Sequence, residues 1–240
     1  MAHSKAAVAL LLAVFLSAAT SSGNPMEKAD SLYKNGRYAE AAEICANIKA
    51  VYPDTDWAMM AFLMNARILE KTGKNDDAIT EYRAIITRFP KSSVAEEAYF
   101  AVARIRAALG KESDAASAYR SYLKNYPNGE YGAMALFNLA MIYKRNNDDR
   151  NALAAFEEIM RKYSNEAWFY SWAAIYSGHI YSAKKDFDRA IESYQRVIKS
   201  RENTFLYSLS MLHRARAFMD KKDYKTSSAL FQEIIKANNH

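Results

Sequence analysis

Four histidines, one cysteine and several pairs of carboxylates are the side chains of this 240-residue chain best suited to bond-making chemistry. His3, His179, His213 and His240 have no second donor at a spacing that would close on one metal ion. No G-x-S-x-G elbow, phosphate-binding loop or dinucleotide fingerprint is written into the chain. Glu157 and Glu158 fall on a helix surface and read as solvated. Cys45 falls in a series of core positions and reads as packing rather than as a nucleophile. The expectation is a protein without catalytic residues, metal or cofactor. The remaining chemistry is recognition. Trp168, Trp172, Ile175 and His179 follow spacings of 4, 3 and 4, which puts them on one helix face. Trp and Tyr dominate binding hot spots, and Phe169, Tyr170, Tyr176 and Tyr181 crowd the same stretch. The alternative is that these large side chains fill a gap opened by a local insertion.

The elements that would position such residues are helices. Hydrophobic residues make up 50% and charged residues 25% of the chain, as in an ordinary folded protein, so disorder and collagen-like structure are excluded. One Cys excludes an intramolecular disulfide framework and any Cys-rich zinc module. With 7 Gly and 4 Pro, the chain lacks the turn residues of an all-β fold. The first 23 residues stand apart. Lys5 is followed by eleven apolar residues, Ala6 to Leu16, and then by small residues at Ser17, Ala18 and Ala19. That is the layout of a cleaved secretory signal peptide, and it is too short to span a bilayer. Its removal takes the net charge from +6 to +5. No Cys sits near the cleavage point to carry a lipid anchor, and no Asn-x-Ser/Thr acceptor occurs. An exported, periplasmic protein is expected.

The rest of the chain repeats. Pro53, Pro90 and Pro127 are each 37 residues apart, as are Gly36, Gly73 and Gly110. Small residues recur at Ala41, Ala78, Ala115, Ala152, Ala190 and Ser227, and again at Ala29, Ala66, Ala103, Ala140, Gly178 and Ala215. Bulky ones recur at Cys45, Tyr82, Tyr119, Phe156, Tyr194 and Phe231, and at Ile48, Ile85, Tyr122, Ile159, Val197 and Ile234. Six-fold series in phase mean six repeats, with one extra residue between Ala152 and Gly178. Each repeat reads as a helical hairpin. In the third, Ser93 with Glu96 is a capping box, Gly110 ends the first helix, and Pro127 follows the second. Small residues would sit where the two helices cross, and the bulky series between one hairpin and the next.

The pattern resembles the tetratricopeptide repeat. The small residues at Ala29 and Ala41, the turn glycine at Gly36, the aromatic at Tyr82 and the proline at Pro53, with their equivalents, match that family's motif over residues 24–240. Asn147, Lys185 and Lys222 replace the glycine, and Ser164 and Glu202 replace the proline. The resemblance implies an all-α, right-handed solenoid of six hairpins, at about 24–53, 54–90, 91–127, 128–164, 165–202 and 203–240. Segments such as Arg88–Ala95 also look like an exported bacterial envelope branch, which holds the repeat subunit of the outer-membrane assembly machine and the Tol–Pal accessory protein.

The resemblance further implies a concave groove lined by the first helix of each hairpin, at its second, fifth and ninth positions. These give Leu63 and Arg67, Phe100 and Arg104, Phe137 and Met141, then Trp172, Ile175 and His179 with Trp168 one turn earlier, then Leu212 and Arg216. An apolar floor flanked by guanidinium groups suits a protein or peptide segment with apolar anchors and acidic flanks. Alternatively, the apolar positions pack between neighbouring helices and the arginines are solvated. Basic residues also recur at each hairpin turn, among them Lys111, Lys184 and Lys221. They complement helix dipoles, or they form a ridge for peripheral contact with a membrane or an envelope complex. Leu230, Phe231, Ile234 and Ile235 form a last apolar face for a partner or a second copy. Spread-out basic residues in an exported chain argue against nucleic acid. The functional expectation is an envelope scaffold that binds a protein or peptide, with a self-associating structural subunit as the alternative.

Overall fold

The residues at the hairpin turns dictate the architecture. Gly36, Gly73, Gly110, Asn147, Lys185 and Lys222 all lie in the left-handed region, at φ between 57° and 76°. Each ends a helix in the same way. The left-handed residue donates its N–H to a carbonyl three residues back, and the next residue donates to one five residues back. Gly73 to Glu70 and Lys74 to Leu69 form one such pair, at 3.1 and 2.8 Å; Lys185 to Ser182 and Asp186 to Tyr181 form another, both at 2.9 Å. These bonds satisfy the carbonyls orphaned at a helix end and reverse the chain.

The computed structural model describes residues 24–200 and 204–238, so the leader expected at 1–23 lies outside the described residues. The described residues form helices and connecting turns alone. In chain order they are α1 (Pro25–Lys34), α2 (Tyr38–Val51), α3 (Asp56–Lys71), α4 (Asn75–Arg88), α5 (Ser93–Ala108), α6 (Glu112–Asn125), α7 (Gly132–Arg145), α8 (Asp149–Lys162), α9 (Ala167–Ala183), α10 (Phe187–Ser200), α11 (Thr204–Asp220) and α12 (Tyr224–Asn238). The odd-numbered helices open the hairpins and the even-numbered ones close them. Two of the opening helices, α3 and α5, are capped by a side chain where the chain leaves a closing helix. Thr55 and Ser92 accept from the N–H groups of Ala58 and Ala95, at 3.3 and 3.1 Å. The cap of the third hairpin is therefore Ser92, not Ser93. The Ser92 hydroxyl also donates to the Phe89 carbonyl at 2.8 Å, which holds it ahead of the helix and leaves Ser93 as the first helical residue.

The chain divides into two compact units, Met1–Ala118 and Tyr119–His240, with the division falling inside α6. In the first unit α1 packs on α3 and α3 on α5; in the second α7 packs on α9 and α9 on α11. In each unit the opening helices thus stand side by side, with the closing helices packed against them. The small residues sit where helices meet. A Cβ added to Gly178 would lie 2.4 Å from Cε1 of Tyr194, inside any van der Waals contact. The bulky series of the closing helices forms the core. Tyr82, Tyr119, Phe156 and Tyr194 are buried, as are Ile48, Ile85, Tyr122, Ile159 and Val197. In the last hairpin Phe231 and Ile234 are half-buried, while Ile235 is 60% exposed.

Neighbouring hairpins are also clipped together at their turns. Lys111 pairs with Asp76 at 3.1 Å, Lys184 with Asp149 at 3.3 Å and Lys221 with Asp188 at 2.5 Å. In each case the aspartate opens the closing helix of the preceding hairpin. At the opposite ends, Arg88 reaches the Pro53 carbonyl at 2.6 Å and Asp54 at 2.9 Å. Three of the lysines at the hairpin turns, read as dipole complements or as a basic ridge, are therefore matched by carboxylates of the preceding hairpin. Exposed pairs of this kind contribute at most about 1 kcal/mol each.

Candidate functional site

The face presented by the opening helices differs between the two units, and the difference comes from residue choice at equivalent positions. In the first unit the arginines expected to flank a groove are neutralised. Arg67 Nη2 lies 2.7 Å from Glu97 Oε1 on the neighbouring helix, and Arg104 pairs with Glu70. Glu70 also accepts from the Tyr82 hydroxyl at 2.6 Å, and burial together with this bond pushes the phenol pKa up. Leu63 and Phe100, expected on the groove floor, are buried. The cause is lateral packing: α3 packs against α1 on one side and α5 on the other, so an apolar fifth position points into the seam. Met60 remains exposed there.

In the second unit the same face carries a continuous run of rings. Phe137 of α7 sits at its centre, with ring centroids 5.5 Å from Trp168, 5.8 Å from Phe169, 6.1 Å from Phe156 and 6.0 Å from Tyr176. Along α9, Trp168 lies 6.2 Å from Trp172, and Trp172 stacks on Tyr176 at 5.6 Å. Tyr176 stacks in turn on the buried Phe156 at 5.7 Å, which anchors the run to the core. The Lys144 ammonium lies 5.5 Å from the Tyr176 centroid, as a cation over the ring. The run then crosses to α11, where His179 and His213 meet with centroids 4.4 Å apart and His213 stacks on Tyr194 at 5.5 Å.

Exposure sorts these residues. Trp168 is 53% exposed and Met134 41%, while Phe137, Met141, Trp172, His179 and Leu212 are half-buried. Ile175 is fully buried beneath them, so of the four residues expected on one face of α9 it alone belongs to the core. Arg216 is exposed, and neither it nor Lys144 has a carboxylate partner among the described residues. His179 Nε2 is buried and unpartnered. Burial first, then the nearby His213 and Lys144, hold its pKa down to about 4. Burial and the nearby Arg216 also lower that of His213. The imidazoles are therefore neutral near pH 7 and act as flat, weakly polar extensions of the aromatic surface.

Sequence reasoning missed three contributors. Phe205, 67% exposed, stands 37 residues after Trp168, so the repeat register alone marks it. Lys144, one of the basic residues that the sequence places at a hairpin turn, lies one turn past Met141 on the same helix and so joins this face, beyond the three positions considered. His213 is brought to His179 only by the packing of α9 on α11. The other expected sites are equally distinct. Leu230 is buried against Ile198, Met211 and Ala215, leaving Ile235 as the exposed part of the last apolar face. Cys45 is buried, and burial raises its thiol to about 11, which disfavours the thiolate a nucleophile needs. Among the described residues no group of three His, Cys, Asp or Glu is placed to hold a metal ion. No helix among them is long and apolar enough to cross a membrane.

The comparisons with known proteins agree with this architecture. Family models described as tetratricopeptide repeat match residues 63–130, residues 26–55 and 134–166, and residues 177–204. Curated sequences contain no match. Among solved structures, the C-terminal part of a repeat-containing protein from Cytophaga hutchinsonii superposes with a TM-score of 0.66 at 17% identity, over 88% of this chain and 78% of that one. MamA superposes with a TM-score of 0.60 at 16% identity, over 76% of this chain and 92% of that one. YrrB, described as having an unusual peptide-binding site, gives 0.58 at 11% identity, over 81% and 92%. At such identities the likeness is one of fold.

Proposed function

Since the chain belongs to the tetratricopeptide-repeat family, whose members are interaction modules, we propose that it is an exported, non-enzymatic scaffold of a bacterial cell envelope. Its second unit holds a segment of a partner protein against α7, α9 and α11. The observation that carries this reading is Trp168. A tryptophan more than half exposed, edge-on to Phe137 and braced by Trp172, leaves a large apolar surface in water that a partner would cover. The ring packing beneath it fixes the platform before binding, so little ordering cost accompanies association. The peptide-binding site ascribed to a protein of the same fold supports the reading. The apolar leader at residues 1–23 supports export.

A photo-crosslinking residue in place of Trp168, with Glu158 on the exposed surface of α8 as control, tests it in cells. A discrete protein adduct from position 168 alone is the expected result; adducts from neither, or equally from both, would sink the assignment. Residues 1–23 fused to a reporter active only outside the cytoplasm test the export. A second reading rests on Ile235, which stands exposed beside the half-buried Phe231 and Ile234. If this face joins two copies, light scattering shows a dimer that Ile235→Glu reduces to a monomer.

A further inference from the structure

The opening helices are balanced in charge in the first unit and net basic in the second. The opening helices of the first unit, α1, α3 and α5, carry six acidic and six basic residues. Those of the second, α7, α9 and α11, carry Lys144, Arg145, Arg214 and Arg216 against the single carboxylate of Asp220. The difference is local to the face described above. Where the first unit has Glu70 to receive Arg104 and Glu97 to receive Arg67, the equivalent positions in the second hold Lys144, Ser182 and Met219, and Met134, Trp172 and Leu209. Lys144 consequently lies over the Tyr176 ring and Arg216 stands exposed, with no carboxylate opposite either among the described residues.

The cations and the exposed apolar groups also occupy opposite ends of the helices. Met134, Trp168 and Phe205 stand at the starts of α7, α9 and α11, whereas Lys144 and Arg216 lie towards the ends of α7 and α11. At the rise of an α-helix, Met134 and Lys144 are about 15 Å apart along the axis, and Phe205 and Arg216 about 16 Å. A helix laid across the three, about 10–12 Å wide with its side chains, fits between the two rows once the cations' flexible stems reach inward. From this juxtaposition we infer that the second unit selects an acidic amphipathic helix of a partner protein, seated with its apolar stripe on Met134, Trp168 and Phe205 and its carboxylates towards Lys144 and Arg216. The inference rests on the binding face proposed above and adds the chemistry of the occupant. The charge-balanced first unit takes no part in the selection.

Three fluorescein-labelled synthetic helices sharing one Leu/Trp stripe, with Glu, Gln or Lys along the flanking edge, test it by anisotropy on the purified protein. The Glu peptide binds at least tenfold more tightly than the Gln peptide at 50 mM salt, and the margin shrinks as salt screens the charges. Lys144→Glu/Arg216→Glu abolishes the margin, Lys144→Gln/Arg216→Gln reduces it, and Arg67→Glu/Arg104→Glu leaves it intact. Circular dichroism confirms that each variant is folded. Equal binding of the Glu and Gln peptides, both lost in Trp168→Ala, would overturn the acidic preference while leaving the binding face in place. If no peptide binds and position 168 yields no adduct in cells, the binding face itself fails. Vesicles of phosphatidylglycerol that bind through Lys144 and Arg216, while the Glu peptide does not, would replace the helix by a lipid surface and overturn the inference.

Discussion

Replacing Lys185 or Lys222 by glycine should stabilise the protein, although both are ordinary exposed lysines. Each holds a left-handed backbone, at φ 62° and 68°, that a Cβ disfavours by roughly 1–2 kcal/mol. Glycine removes that strain but adds unfolded-state freedom worth about 0.5–1 kcal/mol, leaving a net gain of about 0.5–1 kcal/mol per site. Nothing else enters the balance. A Cβ placed on the equivalent Gly36, Gly73 or Gly110 meets no atom within 4 Å, so side-chain packing plays no part at this position. The effect should grade with residue type: Asn147 tolerates φ 57° better than lysine does, so Asn147→Gly gains less. Gly73→Lys should lose what Lys185→Gly gains. Thermal unfolding followed by circular dichroism reads each as a shift of about 1–4 °C. Unchanged or lowered midpoints for both lysine variants, together with a harmless Gly73→Lys, would refute the reasoning.

Gly178→Ala is expected to cost about 1–3 kcal/mol, read as a lowered denaturation midpoint, because the new methyl meets the buried Tyr194 ring at 2.4 Å. Ile175→Ala, in the core, should cost about 2–5 kcal/mol, while Trp168→Ala should cost under about 1 kcal/mol and act on binding instead; parallel urea titrations separate the two. The depressed pKa of His179 means that the unfolded chain binds a proton more readily than the folded one. Stability present above about pH 6.5 should therefore decline as pH falls towards about 4 and then level off. Melting His179→Gln alongside the parent between pH 7 and pH 4 checks this, the variant showing the smaller decline.

The fold was legible because repeat register carries information that single residues do not. Lysine is a poor signal for a left-handed turn, yet Lys185 and Lys222 adopt one because they stand where Gly73 and Gly110 stand. The candidate site was less legible, because exposure on a helix face is decided by neighbours. Phe100 and Phe137 occupy equivalent positions, but the first is buried and the second is half-exposed among rings from α8 and α9. Arg67 and Arg104 read alone as free guanidinium groups, and only the adjoining helices reveal the glutamates that meet them. The cap at Ser92 rather than Ser93 shows the same limit at the scale of one residue.

The uniform hairpin turn also decides where this protein tolerates editing. All six turns close through one bonding pattern of fixed length, so a residue inserted there dislodges the left-handed position and with it, in three hairpins, the clip from the adjacent lysine to an aspartate of the preceding hairpin. The junctions between hairpins obey no such rule. Residues 52–55, 89–92 and 163–166 make four-residue links whereas 126–131 make a six-residue one, and the turns on either side are unaltered. Epitopes, cleavage sites or new chain ends therefore belong at those junctions, and whole hairpins can be spliced out or duplicated there as cassettes.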